Sequence, residues 1–380
     1  MKRISHIYIL LFILSLACPA FAQIEKAEQE IQSIMKKYEM VGLSVALVKK
    51  NEIVYAKSFG LKNIEGNTAL SNSDIFRIAS ISKSFSATSI MQLVEANKLS
   101  LDDDFSKLIG FKVRNPKYPD KVITLRMVLS HTSSINDSQG YFTLDVINPD
   151  KNKDWAKCYN DYEPGKGYQY CNLNYNMIGT VIEKTSGERF DMYVRNHVLN
   201  PLNLYGGYCV DSLDNSRFAT LYTYDSAAGK FIPSPAAYAP RREELKNYVM
   251  GYTTPIFSPT GGMKISATDL AKYMTMHMNM GNYKGTKIIS KKSAQLMQTP
   301  LSDEEGYGFA ISNLDDLIPG KHMTGHTGSA YGLYSAMFFH PKEKFGIVII
   351  TNGSRTGYTK EIPNSSRELI NSLYNTLIKQ

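Results

Sequence analysis

Phe76-Arg77-Ile78-Ala79-Ser80-Ile81-Ser82-Lys83 leads into a helix, because downstream of it Ala87, Ile90, Met91 and Val94 recur at the i, i+3, i+4, i+7 spacing of one apolar helix face. A serine at such a start is commonly an N-cap, its side-chain oxygen taking a backbone N–H of the first turn. The same position also suits chemistry. Residues three apart share a helix face, so the Lys83 amine can reach the Ser80 hydroxyl. The positive end of a helix disfavours a second cation and favours an oxyanion. Partial burial lowers a lysine pKa further and makes it usable as a base. A serine hydroxyl is a poor nucleophile until something takes its proton. Ser-x-x-Lys occurs once more, at Ser33-Ile34-Met35-Lys36, inside an amphipathic stretch where both polar side chains read as solvent-facing.

Outward from this helix start, the chain has strand-rich ends and a helical middle. Gly42 to Val48 and Ile53 to Phe59 are β-branched runs around the polar turn Lys49-Lys50-Asn51-Glu52, a hairpin. Before them, Ile24, Ala27, Ile31, Ile34 and Met35 give Gln23 to Met40 a helical period. Between about 100 and 300, helical stretches (Met177 to Glu183, Leu270 to Met280, Ser293 to Met297) alternate with long Gly-, Pro- and Asn-rich connections. Strand character returns at Tyr307 to Ile311, Ser335 to Phe339 and Gly346 to Thr351, and Ser365 to Ile378 closes as a helix. The economical architecture is α+β: an antiparallel sheet built from both chain ends and flanked by helices, with a mostly helical inserted domain. The α/β part is expected over about 23–85 and 300–380, and the helical part over about 86–299.

At 380 residues and 43% hydrophobic, the chain buries a sizeable core without disulfides or structural metal. The net charge of +8 is spread among acidic residues with no run of four basic ones, so no nucleic-acid partner is expected. Lys2 and Arg3, the apolar run Ile7 to Ala17 and Ala20-Phe21-Ala22 read as a secretory signal peptide over 1–22. That run is too short to cross a bilayer, and no later segment reaches transmembrane length. The expected location is exported, periplasmic or secreted, with a lipid anchor at Cys18 left open. Cys158, Cys171 and Cys209 remain after cleavage; at least one is then free or bonded between molecules, Cys158 with Cys171 would close a short loop, and any other pairing, or free buried thiols, is equally open. Their spacing fits no zinc pattern, and neither a metal nor a cofactor is expected. His-Glu-x-x-His, Gly-x-Ser-x-Gly and a phosphate-binding glycine loop are absent.

Two more motifs follow in order: Tyr170-Cys171-Asn172 and His326-Thr327-Gly328. With Ser80-Ile81-Ser82-Lys83, the stretch Leu129-Ser130-His131-Thr132-Ser133-Ser134-Ile135 and the stretch Thr260-Gly261-Gly262-Met263-Lys264-Ile265-Ser266, they make the chain resemble the serine β-lactamase and penicillin-binding DD-peptidase superfamily, in its class C β-lactamase-like branch. The resemblance runs from about Gly42 to the C-terminal helix and makes 23–380 a β-lactamase-like catalytic domain.

The resemblance implies roles. Ser80 would be the acylated nucleophile, Lys83 its proton partner, and Tyr170 a proton relay whose phenol pKa is lowered by Lys83. Whether Tyr170 or Lys83 is the base stays open. Asn172 would bond Lys83 and the substrate amide. The backbone N–H groups of Ser80 and Ser329 would form the oxyanion hole. His326 and Thr327 would face a substrate carboxylate or ester, and Gly328 would keep the strand clear where substrate lies. Histidine at 326 departs from the lysine of class C β-lactamases; it titrates near neutrality and offers no permanent cation. His131 reads as structural. The activity this implies is that of an exported serine hydrolase, cleaving an amide or ester through an acyl-enzyme as a DD-peptidase, D-amino-acid peptidase or esterase does, on a small molecule or short peptide, cell-wall derived or not. A class C-type β-lactamase and a non-catalytic sensor of β-lactams or peptidoglycan fragments are the alternatives.

Overall fold

A computed structural model describes residues 4–302 and 306–379, with side chains from residue 21 onward. Cys18 and all but the last two residues of the expected leader therefore lie outside the described side chains. The first helix, α1 (Ile4–Lys37), buries Ala27, Ile31 and Ile34 and leaves Ser33 exposed, as its period requires.

The sheet has seven strands: β1 (Gly42–Lys49), β2 (Glu52–Asn63), β3 (Thr68–Ala69), β4 (Ser312–Ile318), β5 (Lys321–Ala330), β6 (Leu333–His340) and β7 (Phe345–Thr351). Their order is β4-β5-β6-β7-β1-β2-β3, every pairing antiparallel, so the N-terminal hairpin completes a sheet begun by the C-terminal strands.

Side chains alternate across this sheet, and each face has its own cover. Val45, Leu47, Ile347, Ile349, Ala336 and Phe338 pack with α1 and with α5 (Asn364–Leu373) through Ile31, Leu369, Ile370 and Leu373. Ala46, Val48, Val348, Ile350, Met337 and Phe339 face the opposite layer. That layer contains α2 (Ser82–Glu95), α3 (Asn172–Ser186) and α4 (Ala267–Met278). A strand buried on both faces reads as a continuous apolar run, which is why β1 and β7 show little polar alternation. α4 comes so near β7 that a Cβ on Gly346 would lie 2.4 Å from Met274 Cε.

One expected strand is not there. Tyr307 to Ile311 is an irregular connection, and the strand begins only at Ser312. Ala310 takes φ +56°, which breaks an extended run, while Phe309 N–H donates to Met297 O and Gly308 N–H to Ile311 O. The terminal helix covers the expected span: α5 ends at Leu373 and runs on without a break as a π-helix, Tyr374–Ile378.

Candidate active site

Ser80 sits in a short 3₁₀ turn, Ala79–Ile81, just ahead of α2. No side chain caps either helix start, so the N-cap expectation for Ser80 does not hold. Its hydroxyl faces Lys83 instead. Ala79 holds φ +48°, sparsely populated for a residue with a Cβ, which marks a locally strained turn. Buried Arg77 ties that turn down by donating to Gly261 O, Ala237 O and Ser258 Oγ.

Lys83 is fully buried, and Nζ lies 3.1 Å from Ser80 Oγ, 2.9 Å from Asn172 Oδ1 and 3.0 Å from Thr260 O. Burial lowers its pKa to about 7, against an opposing pull from Asp137 and Cys171. A neutral amine has two N–H groups and one lone pair. Two of its three neighbours are carbonyl oxygens that only accept, so both N–H groups point to Asn172 and Thr260 and the lone pair is left for the Ser80 proton.

Asn172 opens α3. Its Oδ1 accepts from Lys83 and from Thr260 Oγ1 (2.9 Å), and its Nδ2 donates to Asp137 Oδ2 (2.9 Å). The expected bond to Lys83 is present, and the amide nitrogen is turned to Asp137.

Tyr170 is half-buried with its hydroxyl shielded from solvent; its ring centroid lies 4.7 Å from Lys83 Nζ, and its hydroxyl, beside that of Ser80, makes no hydrogen bond of normal geometry among the described residues. Burial pushes its phenol well above the ordinary tyrosine range. The expectation of a phenol lowered by Lys83 is therefore corrected: desolvation outweighs the attraction of a lysine that is itself only partly charged near neutrality.

Strand β5 brings His326, Thr327, Gly328 and Ser329 beside this turn. A Cβ on Gly328 would meet Ile78 O at 2.2 Å and Ser335 Oγ at 2.5 Å, and Ser335 Oγ donates to Ile78 O (3.0 Å). Gly328 is thus required by the close approach of strand and nucleophile turn. Ser329, the next residue, is exposed, and its Oγ accepts from Tyr358 (2.9 Å).

His326 is buried. Its Nδ1 lies 2.5 Å from Thr327 O and its Nε2 3.3 Å from the Tyr307 hydroxyl. A carbonyl only accepts, so the network assigns the proton to Nδ1 and makes Nε2 the acceptor. Burial, with Lys83 adding, lowers the ring to about pKa 4, so it is neutral at pH 7 and does not titrate near neutrality as expected. His131 Nδ1 accepts from Cys171 N–H (3.2 Å), a structural contact.

Sequence reasoning missed Asp137, Thr260 and Tyr307. Thr260 stood in one of the quoted stretches without a role, and Tyr307 in a run read as strand. A second basic-Thr-Gly stretch, Arg355-Thr356-Gly357, pairs its arginine with Glu39. Beside Tyr170, His326 and Thr327 opens a cavity of about 400 Å³ that also reaches Lys360, Asp316 and Arg367. Cys158, Cys171 and Cys209 are free buried thiols. Among the described residues no group of three or more His, Cys, Asp or Glu could hold a metal, and no helix is long and apolar enough to cross a membrane.

A seven-stranded antiparallel sheet whose strand β5 packs on the Ser-x-x-Lys turn defines the class: a β-lactamase/transpeptidase-like serine hydrolase fold. The chain belongs to the Beta-lactamase family, whose profile matches residues 27–366. Protein flp of Staphylococcus aureus (strain N315) is 21% identical over 365 residues, covering 91% of this chain and 66% of that protein, so the chain spans just under two thirds of that relative. The octameric penicillin-binding protein homologue from Pyrococcus abyssi superposes with a TM-score of 0.73 at 27% identity, over 93% of this chain and 77% of that one. D-amino acid amidase from Ochrobactrum anthropi SV3, complexed with L-phenylalanine amide, gives 0.71 at 18% identity over 94% and 99%.

Proposed function

We propose that the protein is a serine hydrolase that cleaves amides or esters through an acyl-enzyme on Ser80. The observation that carries this is the Lys83 amine, buried, lowered to about pKa 7 and 3.1 Å from Ser80 Oγ. In the first half-reaction the amine takes the hydroxyl proton as Oγ bonds to the substrate carbonyl carbon. The resulting oxyanion is held by the backbone N–H groups of Ser80 and Ser329, a donor pair of which one member typically contributes about 10²–10³ in rate. Collapse breaks the bond to the leaving nitrogen or oxygen, which takes the proton from Lys83 by way of the protonated Tyr170 phenol. Water then adds to the acyl carbon along the reverse proton route and frees the acid and Ser80.

A His326 that is neutral at pH 7 supplies no fixed cation for a carboxylate, which supports a peptidase, amidase or esterase over a class C-type β-lactamase. The amidase among the similar folds agrees with that preference. The polar set around Ser80 supports turnover over a passive sensor, because binding alone does not need a lysine held as a base. The leader-like sequence of residues 1–22 supports work outside the cytoplasm, on a small molecule or short peptide.

The test is intact-mass spectrometry with a fluorophosphonate, beside turnover of p-nitrophenyl esters, D-alanyl peptides, D-amino acid amides and nitrocefin. A Ser80 adduct and hydrolysis, both lost in Ser80→Ala, support the reading. Saturable binding without adduct or turnover favours the sensor, and efficient nitrocefin turnover favours the β-lactamase.

A further inference from the structure

The sequence motifs leave Asp137 without a function, yet its carboxylate is the most heavily bonded group behind the Ser80–Lys83 pair. Oδ2 accepts from the Asn172 backbone N–H (2.8 Å) and from Asn172 Nδ2 (2.9 Å). Oδ1 accepts from Leu173 N–H (2.9 Å) and from Cys171 Sγ (3.2 Å). Cys171 is the N-cap of α3 and makes no side-chain cap bond, so a residue from a distant loop does the capping. The grip on both the backbone and the side-chain nitrogen of Asn172 leaves that amide one orientation. Its oxygen then faces Lys83 Nζ and Thr260 Oγ1.

We propose that Asp137 is a positioning residue for the Ser80–Lys83 pair, acting through Asn172. The inference rests on the reading of Lys83 as the base that activates Ser80. A rotated Asn172 would present Nδ2 to the amine, donor against donor, and Lys83 would lose one of the two acceptors that direct its lone pair at Ser80. The negative charge acts in the same direction. The groups facing Lys83 are Tyr170, Cys171 and Tyr175 around the start of α3, His131 and Asp137 from the loop before it, and His326 from β5. Both histidines are held neutral at pH 7 by burial, which leaves Asp137 as the anionic partner among them. It offsets part of the desolvation and keeps the amine basic enough to take a proton near neutrality.

The experiment follows p-nitrophenyl acetate burst kinetics against pH in the full-length wild type and in Asp137→Asn, with thermal melting to verify folding. The inference expects the acid limb of the burst rate to move down by about one pH unit in Asp137→Asn, with a plateau at least about tenfold lower. A lower plateau with an unmoved limb, or an unchanged rate, overturns it. If Asp137→Asn does not fold, Asp137→Glu keeps the charge but displaces the carboxylate: a slowed burst with an unmoved limb supports the inference, and a wild-type burst rate overturns it. A wild type that never acylates Ser80 overturns the reading underneath, and the inference with it.

Discussion

Gly328 and Ile78 lie so close that a Cβ at position 328 would sit 2.2 Å from the Ile78 carbonyl oxygen. This contact seats strand β5 on the turn that presents Ser80, two residues beyond Ile78. Gly328→Ala is expected to push strand and turn apart. The stability loss should be about 1–3 kcal/mol, in the range of an overpacked site. The acylation rate of Ser80 should fall by at least about 10², because a displacement of about 1 Å is enough for that. Thermal melting and burst kinetics measure the two effects, and a variant with wild-type burst rate contradicts the contact's role.

Lys83 carries a stability signature of its own. Its pKa falls from 10.5 in the unfolded chain to about 7 in the fold, so between those values the unfolded state binds a proton that the folded state does not. Stability contributed at this site therefore rises with pH across that window, and the cost of the buried charge is complete below about pH 7. Wild type is expected to gain stability relative to Lys83→Met as pH rises from 7 toward 10.5. Denaturant midpoints at pH 6, 8 and 9.5 report this; parallel curves for the two proteins would count against a lowered lysine.

Tyr170 presents a trade-off. Its hydroxyl is buried without a partner, a condition that costs about 1–3 kcal/mol. Tyr170→Phe is expected to melt higher than wild type while turning over more slowly, since the proton route to the leaving group is lost. Loss of stability together with unchanged turnover would remove Tyr170 from the mechanism.

His326, lowered to about pKa 4, should leave no limb in the pH profile between 5 and 9. His326→Asn is expected to change KM more than kcat and to leave the limb near pH 7 where it is. A limb that disappears with the histidine would reassign the titration seen in the wild type to His326.

The sequence showed what is local. The Ser80–Lys83 pairing follows from helical spacing, and the hairpin from two β-branched runs around a polar turn. Asp137 and Thr260 escaped because their meaning lies in contacts with Asn172 and Lys83, far along the chain. Tyr307 to Ile311 has the apolar content of a strand, but Ala310 at positive φ bends it into a connection that carries Tyr307 to His326. Proximity of Tyr170 to a lysine is legible in a motif, whereas the burial of its hydroxyl, which raises the phenol, emerges only in the folded site.

A neutral Lys83 amine activates Ser80 in the proposed reaction, and the pH dependence of the pre-steady-state burst tests this most directly. The burst rate is expected to rise through an apparent pKa near 7 and to vanish in Lys83→Met. A burst that is flat from pH 5 to 9, or one that survives in Lys83→Met at the wild-type rate, would contradict it.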